Sequence, residues 1–405
     1  MKKVLGLLMV LALAVPASAE LLRNFELKGD VQLISTDSRH RDNIVPGFGR
    51  EIVSGTDLRV MVGGGFDIAD NVRANLMFQY LNIWGEDATI QGGGPVGTVG
   101  KSANGYLDNI RVVEANVEMK EVFDWLDVKI GRQFYGDQDS SVLYIGPRYY
   151  TPANFLNGYN YATALDAVTL SYANDVVNVN VMTGEASLYD GLAAPISPTG
   201  TKHNIYGADA KFKMGDVVRA QFYAYNIKEL YGEDNFGFYG GKLSLAPEAF
   251  LFSVEYARNM SGHRVFKESH NNPYMVKVDA KLTLDELTPR AAFWYNKNFT
   301  ALGNYTPGLL VGDIYGDNLG ELRMYNLGVD LTADQWTFSL DGFAFQDRTA
   351  KHAANLEADL VVKYAYNDNI ELFGGVGYIK YKDTLKARMN TKDNTKGQVG
   401  VLIKL

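Results

Sequence analysis

Residues 356–381 read L-E-A-D-L-V-V-K-Y-A-Y-N-D-N-I-E-L-F-G-G-V-G-Y-I-K-Y, and this stretch decides the fold. Leu356, Ala358, Leu360, Val362 and Tyr364 share one parity; Glu357, Asp359, Val361 and Lys363 share the other. A β-strand sends alternate side chains to opposite faces, so the arm has an apolar face and a charged one. Asn367-Asp368-Asn369 is a tight turn by composition, because Asn and Asp tolerate left-handed backbone and bond their own main chain. The returning arm sets Ile370, Leu372, Val376 and Tyr378 against Glu371, Gly375 and Gly377. In a soluble sandwich the apolar face points inward. In a membrane barrel it points out into lipid, and the charged face lines a wet interior.

The same unit recurs along the chain. Phe25, Leu27, Val31 and Leu33 alternate with Glu26, Lys28, Asp30 and Gln32. Leu58, Val60, Val62, Phe66 and Ile68 lead through Ala69-Asp70-Asn71 into Val72, Ala74, Leu76, Phe78 and Tyr80. Further strands are predicted around 113–119, 125–135, 166–172, 177–181, 206–214, 218–225, 237–245, 250–256, 274–282, 291–295, 325–331, 336–340 and 398–405. Connections alternate between tight turns and longer polar loops, the habit of barrels with short periplasmic turns and long outer loops. The count is about eighteen, with both ends on the short-turn side; sixteen is the other count this spacing allows. The arms are long enough for a tilted strand to cross a bilayer. The predicted class is therefore all-β: a transmembrane, antiparallel, up-and-down β-barrel. A soluble secreted β-fold is the alternative, but it would have to bury an aliphatic face across all those strands without a visible blade or Greek-key repeat.

The N-terminus specifies export. Met1-Lys2-Lys3 is cationic, Val4 to Val15 is apolar, and Ala17-Ser18-Ala19 is a small-x-small cleavage site. Residues 1–19 read as a cleaved signal peptide and 20–405 as one barrel domain. The absence of Cys excludes a lipoprotein anchor and any disulfide framework. With 41 Gly, 25 Tyr, 20 Phe and only 11 Pro, the composition suits many strands flanked by aromatic girdles. The net charge of −8 and the lack of a basic stripe argue against nucleic acid. The expected setting is a bacterial outer membrane, with its lipid and the barrel-assembly machinery as partners. Oligomeric state is not legible.

If the barrel is right, the charged parity lines the lumen, since such charges on lipid would cost a few kcal/mol each at mid-bilayer. Basic candidates are Arg59, Arg73, Lys129, Lys211, Arg219 and Lys277; acidic ones are Glu114, Glu118, Asp279, Glu357 and Asp359. Most could form cross-strand ion pairs tiling a wet wall, whereas selectivity needs one sign concentrated at one level. The loop from Gly136 to Thr163 differs from the others. It holds Val142-Leu143-Tyr144-Ile145, then Arg148, Tyr149, Tyr150 and Tyr159, which is much apolar surface to leave in water. Folded into the mouth, it would narrow the channel and offer aromatic faces to sugar rings; packed on its neighbours, it would form a rim.

Two strands carry a family resemblance. Ile130 to Gln138 reads I-G-R-Q-F-Y-G-D-Q, and Leu165 to Tyr172 reads L-D-A-V-T-L-S-Y. A G-R-Q strand ending in Y-G-D, a long loop and then D-x-V-x-L-x-Y resembles the alginate-export family of outer-membrane barrels. The resemblance implies eighteen strands, a charged lumen that carries anionic polysaccharide or related solutes, and functional roles for Arg132 and Asp137. Gly131, Gln133 and Asp166 also match. The chain departs from that family in a wall that leans on lysine and in its final Leu405, where many barrels end in an aromatic.

Catalysis has little support. The five histidines are scattered, and none has a Ser or Asp partner at a motif spacing. No H-x-x-x-H, Cys or calcium-loop pattern points to a metal, and no cofactor motif is present. The expected function is a porin-like channel for passive diffusion or export of small hydrophilic solutes, among them sugars or sugar acids. A plugged structural or receptor barrel is the second alternative.

Overall fold

In the computed structural model, the residues described are 23–39, 52–84, 110–137, 140, 142–147, 164–187, 202–229, 235–260, 273–297, 299, 321–347, 354–382 and 393–405. The signal-peptide segment lies outside them. The strands are β1 (Arg23–Arg39), β2 (Ile52–Ala69), β3 (Val72–Trp84), β4 (Arg111–Val122), β5 (Leu126–Gln133), β6 (Tyr135–Gly136), β7 (Tyr144–Ile145), β8 (Leu165–Ala173), β9 (Val177–Ser187) and β10 (Lys202–Met214). They continue as β11 (Val218–Glu229), β12 (Asn235–Leu245), β13 (Phe250–Asn259), β14 (Tyr274–Leu282), β15 (Leu287–Lys297), β16 (Glu321–Ala333), β17 (Trp336–Asp347), β18 (Asn355–Asn367), β19 (Ile370–Lys380) and β20 (Asn394–Lys404).

Eighteen of these form one antiparallel sheet; β6 and β7 pair separately. Each of the eighteen strands bonds to the next in sequence, with β5 passing over the β6–β7 hairpin to β8. The sheet closes on itself because β1 pairs with β20 from Asp30↔Lys404 to Arg39↔Thr395. The fold is thus the closed up-and-down barrel, and the count of eighteen holds. Closure leaves no sheet edge, which is what a strand protein needs inside a bilayer.

The tight turns follow from local chemistry. In the 367–370 turn, Asn367 Oδ1 accepts from the backbone N–H of Asn369 and Ile370 at 2.9 and 2.8 Å. Asn174 does the same for Val176 and Val177 at 2.9 and 2.8 Å. Between β10 and β11 the chain turns on Gly215 at φ +64°, a conformation that side chains with a Cβ rarely adopt.

The wall is inverted relative to a soluble protein. Leu327 is 72% exposed and Val399 61%, and Leu360 lies on the same outer face at 42%. Glu357 and Asp359, on the opposite parity of β18 from Leu360, are 3% and 4% exposed. Large apolar side chains on the outside with polar ones inside describe a barrel solvated by hydrocarbon. Aromatic pairs mark the tight-turn end of the outer wall: Trp336 lies 4.5 Å from Tyr364 and 6.0 Å from Phe338, and Trp125 lies 6.0 Å from Tyr172.

The inner wall is not uniformly polar. Met275, Trp294, Leu322, Met324, Phe343, Phe345, Ile379 and Tyr381 face inward and are buried, forming one apolar cluster with the inward loop. Phe299 joins it, held where its N–H donates to Asn296 Oδ1 at 2.8 Å.

Candidate functional site

The sequence after β5 turns into the barrel. Leu165, Ala167, Met182 and Ile205 are small or aliphatic residues on the inner parity of β8–β10, and Val142, Leu143 and Ile145 bury against that group. Gly136 stands at φ +87°, where an added Cβ would meet the Leu143 carbonyl, so only glycine lets β6 and β7 close this tightly. Ser140 Oγ accepts from the Leu143 N–H at 3.3 Å, and the Tyr144 hydroxyl donates to the Pro147 carbonyl at 2.7 Å. This part of the loop therefore lies against the inner wall. Arg148, Tyr149, Tyr150 and Tyr159 lie outside the described residues.

The loop is pinned by a polar cluster. Tyr135 donates to Asp209 Oδ1 at 2.8 Å, and Tyr225 donates to the same oxygen at 2.9 Å. Asn180 Nδ2 donates to Asp209 Oδ2 at 3.1 Å, and Asn180 Oδ1 accepts from Ser171 Oγ at 2.8 Å. Burial first, then the Asp209 charge, pushes the Tyr135 phenol far above its ordinary range, so it stays a neutral donor. Asp137, one residue past Gly136, forms an ion pair with Lys211 on β10. Between loop and wall lies a cavity of about 240 Å³ whose lining includes Lys129, Gln133, Asp137, Lys211, Tyr223 and Tyr225. It offers cations, amides, hydroxyls and aromatic faces together.

Around the adjoining wall, one row of inward residues runs Lys211, Gln221, Lys242, Glu255, Lys277 and Trp294 across β10 to β15. Three lysines on alternate strands stand roughly 10 Å apart, from a strand spacing of about 4.8 Å. Glu255 sits between two of them and also accepts from the Tyr223 hydroxyl at 2.9 Å. The Lys277 ammonium lies 5.3 Å from the centre of the Trp294 ring and 3.4 Å from Asp279.

The other sequence-predicted residues fall into separate groups. Lys129 meets Glu118 at 2.7 Å and Glu114 at 3.6 Å on the inner face of β4 and β5. Arg59 is fully buried and bonds Asp30 at 3.0 Å. Arg73 bridges Glu26 at 2.8 Å and Asp67 at 3.2 Å towards the turn end. Arg219 stands opposite Lys213 beside the Gly215 turn. Glu357 and Asp359 face inward on β18, with Asp359 directly opposite Asp341.

Arg132 is placed differently from the lumen position its charge suggested. It shares a parity with the exposed Ile130, and its partner Asp166 shares one with the exposed Val168. Arg132 Nε and Nη2 hold Asp166 Oδ1 and Oδ2 at 2.8 and 2.7 Å, a bidentate pair on the outer face. It sits at the loop end of β5, where an outward charge is cheaper than at mid-bilayer. Of the G-R-Q strand, Gln133 is the side chain that points inward, donating to the Ala167 carbonyl at 2.9 Å and accepting from Thr169 at 3.1 Å.

Sequence parity missed Lys242 because Gly237, Gly240 and Gly241 interrupt the alternation of β12. It missed Tyr135, Tyr223 and Tyr225 because aromatic side chains on either face look alike in a pattern. Among the described residues, no group of three or more His, Asp or Glu is placed to hold a metal.

No family model matches the chain, and no curated protein does. Solved structures do. The Pseudomonas aeruginosa protein OccK5 (OpdH) superposes with a TM-score of 0.59 at 11% identity, covering 94% of this chain and 98% of that one. P. aeruginosa OpdQ gives 0.62 at 9% identity, covering 95% and 99%. Acinetobacter baumannii OccAB1 gives 0.61 at 11% identity, covering 95% and 97%. These neighbours are outer-membrane porins, which supports the porin part of the expected resemblance and not its alginate-export part. Nearly whole-length superposition at such identities establishes the architecture: this chain folds as the eighteen-stranded porins of the outer membrane do.

Proposed function

We propose that this chain is an outer-membrane channel through which small hydrophilic solutes pass by diffusion, after export directed by residues 1–19. The observation that carries it is the inversion of the wall, with Leu360 outward and Glu357 and Asp359 inward on one strand. A wall of that kind is stable around water and unstable in it. The inward loop narrows the passage on the β8–β11 side and gives it a chemical character.

The finer reading is that sugar acids pass best. Lys211, Lys242 and Lys277 can hand a carboxylate from one ammonium to the next, while Tyr223 and Tyr225 line the cavity beside Lys211. This is the chemistry that the likeness of 130–138 and 165–172 to alginate-export barrels would require, carried here by lysines rather than by Arg132. Single-channel current blocked by galacturonate more strongly than by galactose supports it; equal block by both removes the acid preference.

A filled lumen is favoured by one observation: Arg59 and Lys396, inward on β2 and β20, have no solvent exposure. A receptor barrel plugged along that wall would show no conductance steps in a planar bilayer.

A further inference from the structure

The outer wall carries a second patch that solute passage does not use. Along one register row the outward residues read Tyr239, Arg258, Tyr274 and Lys297, across β12 to β15. One row nearer the turns, Tyr256 and Tyr295 flank Val276, and Tyr295 stands opposite Arg323. Tyr256, Tyr274 and Tyr295 form a chain with ring centres 6.1 and 5.6 Å apart. Arg258 and Lys297 lie at or beside the loop ends of β13 and β15, and Arg323 near that of β16.

Tyrosines at this level belong to the aromatic belt, where one end of the ring is apolar and the other wet. Cations directly among them sit where headgroups sit. Neither Lys297 nor Arg323 takes part in an ion pair among the described residues. The contrast is Arg132, at the loop end of β5, which Asp166 occupies bidentately. By backbone register, Lys297 stands opposite Glu321 at the start of β16.

We propose that this patch binds the phosphorylated saccharide headgroup of an acylated lipid in the outer leaflet, with Lys297 and Arg323 on phosphate and the tyrosines against the sugar and upper acyl chains. The proposal is separate from the solute reading and needs only the outward apolar wall. It commits to a lipid because the cations border an apolar belt and would face hydrocarbon one turn of the pleat lower.

The test is native mass spectrometry of the purified, folded barrel in detergent with bisphosphorylated lipid A, with the same lipid stripped of phosphate, and with glucosamine 6-phosphate as an acyl-free probe. The wild type is expected to retain the bisphosphorylated lipid about 30-fold better than Lys297→Ala/Arg323→Ala, the fold-change for ~1 kcal/mol per cation at an anionic surface. Both should hold the stripped lipid equally and weakly. If the double variant does not fold, Lys297→Gln and Arg323→Gln are each expected to lose about fivefold by the same conversion. Equal retention by wild type and variants overturns the proposal. So does binding of the acyl-free sugar phosphate as strong as that of the lipid, or a dimer without lipid that the substitutions abolish.

Discussion

The Tyr135 hydroxyl donates to the Asp209 carboxylate at 2.8 Å, joining residues 74 positions apart in sequence and holding the inward loop to the β10 wall. Asp209 also receives Tyr225 and Asn180, so the loop is attached to a network rather than to a single bond. Removing the Tyr135 hydroxyl should loosen the loop without unfolding the barrel. Tyr135→Phe is expected to cost about 1.5–3 kcal/mol, the range for a hydrogen bond to a charged group, in refolding titrations with urea.

The same bond sets an alkaline signature. The folded Tyr135 phenol is raised above its ordinary value of 10.0, first by burial and then by Asp209. Its contribution is therefore complete below that value and lost as pH rises towards the folded one, because only the unfolded chain sheds the proton. Above pH 10, wild-type stability should fall more steeply than that of Tyr135→Phe, by up to about 1.4 kcal/mol per pH unit. Parallel stability profiles of the two proteins would show that Tyr135 ionises as freely folded as unfolded.

Selectivity should follow the lysine row and ignore Arg132. Lys242→Glu and Lys277→Glu each reverse a charge on the inner wall, so reversal potentials in a salt gradient should move towards cation preference. Arg132→Gln leaves the lumen unchanged and should leave the reversal potential where it was, while lowering stability through loss of the bidentate pair with Asp166. A selectivity change in Arg132→Gln alone would place that guanidinium in the ion path.

Loop anchorage should control pore width. Leu143→Asp puts a charge among Leu165, Met182 and Ile205, a buried apolar group that offers it no partner. The loop should leave the wall, and single-channel conductance should rise with noisier open levels. An unaltered conductance would mean that this segment does not border the narrowest level.

Substitutions on the outer wall should act through lipid. Leu360→Arg is expected to cost about 2–4 kcal/mol if it lies near mid-bilayer, measured by folding into phospholipid vesicles. Leu360→Phe, which keeps the face apolar, should be nearly neutral. A tolerated arginine would mean that this face does not meet hydrocarbon.

The architecture was legible because its signal is repeated in every strand. The alternation of 356–381 and the Asn-rich turn at 367–369 each have a direct counterpart in β18 and β19. The lumen was less legible for two physical reasons. Charge suggested that Arg132 faces water inside, although its parity with Ile130 already put it outside; near a strand end, a bidentate partner makes that position affordable. The apolar inner cluster, from Met275 to Ile379, could not be told from lipid-facing residues because a strand pattern gives two faces and does not say which is concave. Asp137 meeting Lys211, and Tyr135 meeting Asp209, depend on a loop turning inward, which spacing alone does not encode.

The most direct measurement is the planar-bilayer record of the purified, folded protein, with galactose and galacturonate as blockers. The account predicts discrete conductance steps, blocked at lower concentration by galacturonate, with that preference weakened in Lys242→Glu. A folded barrel that inserts but conducts nothing would contradict it.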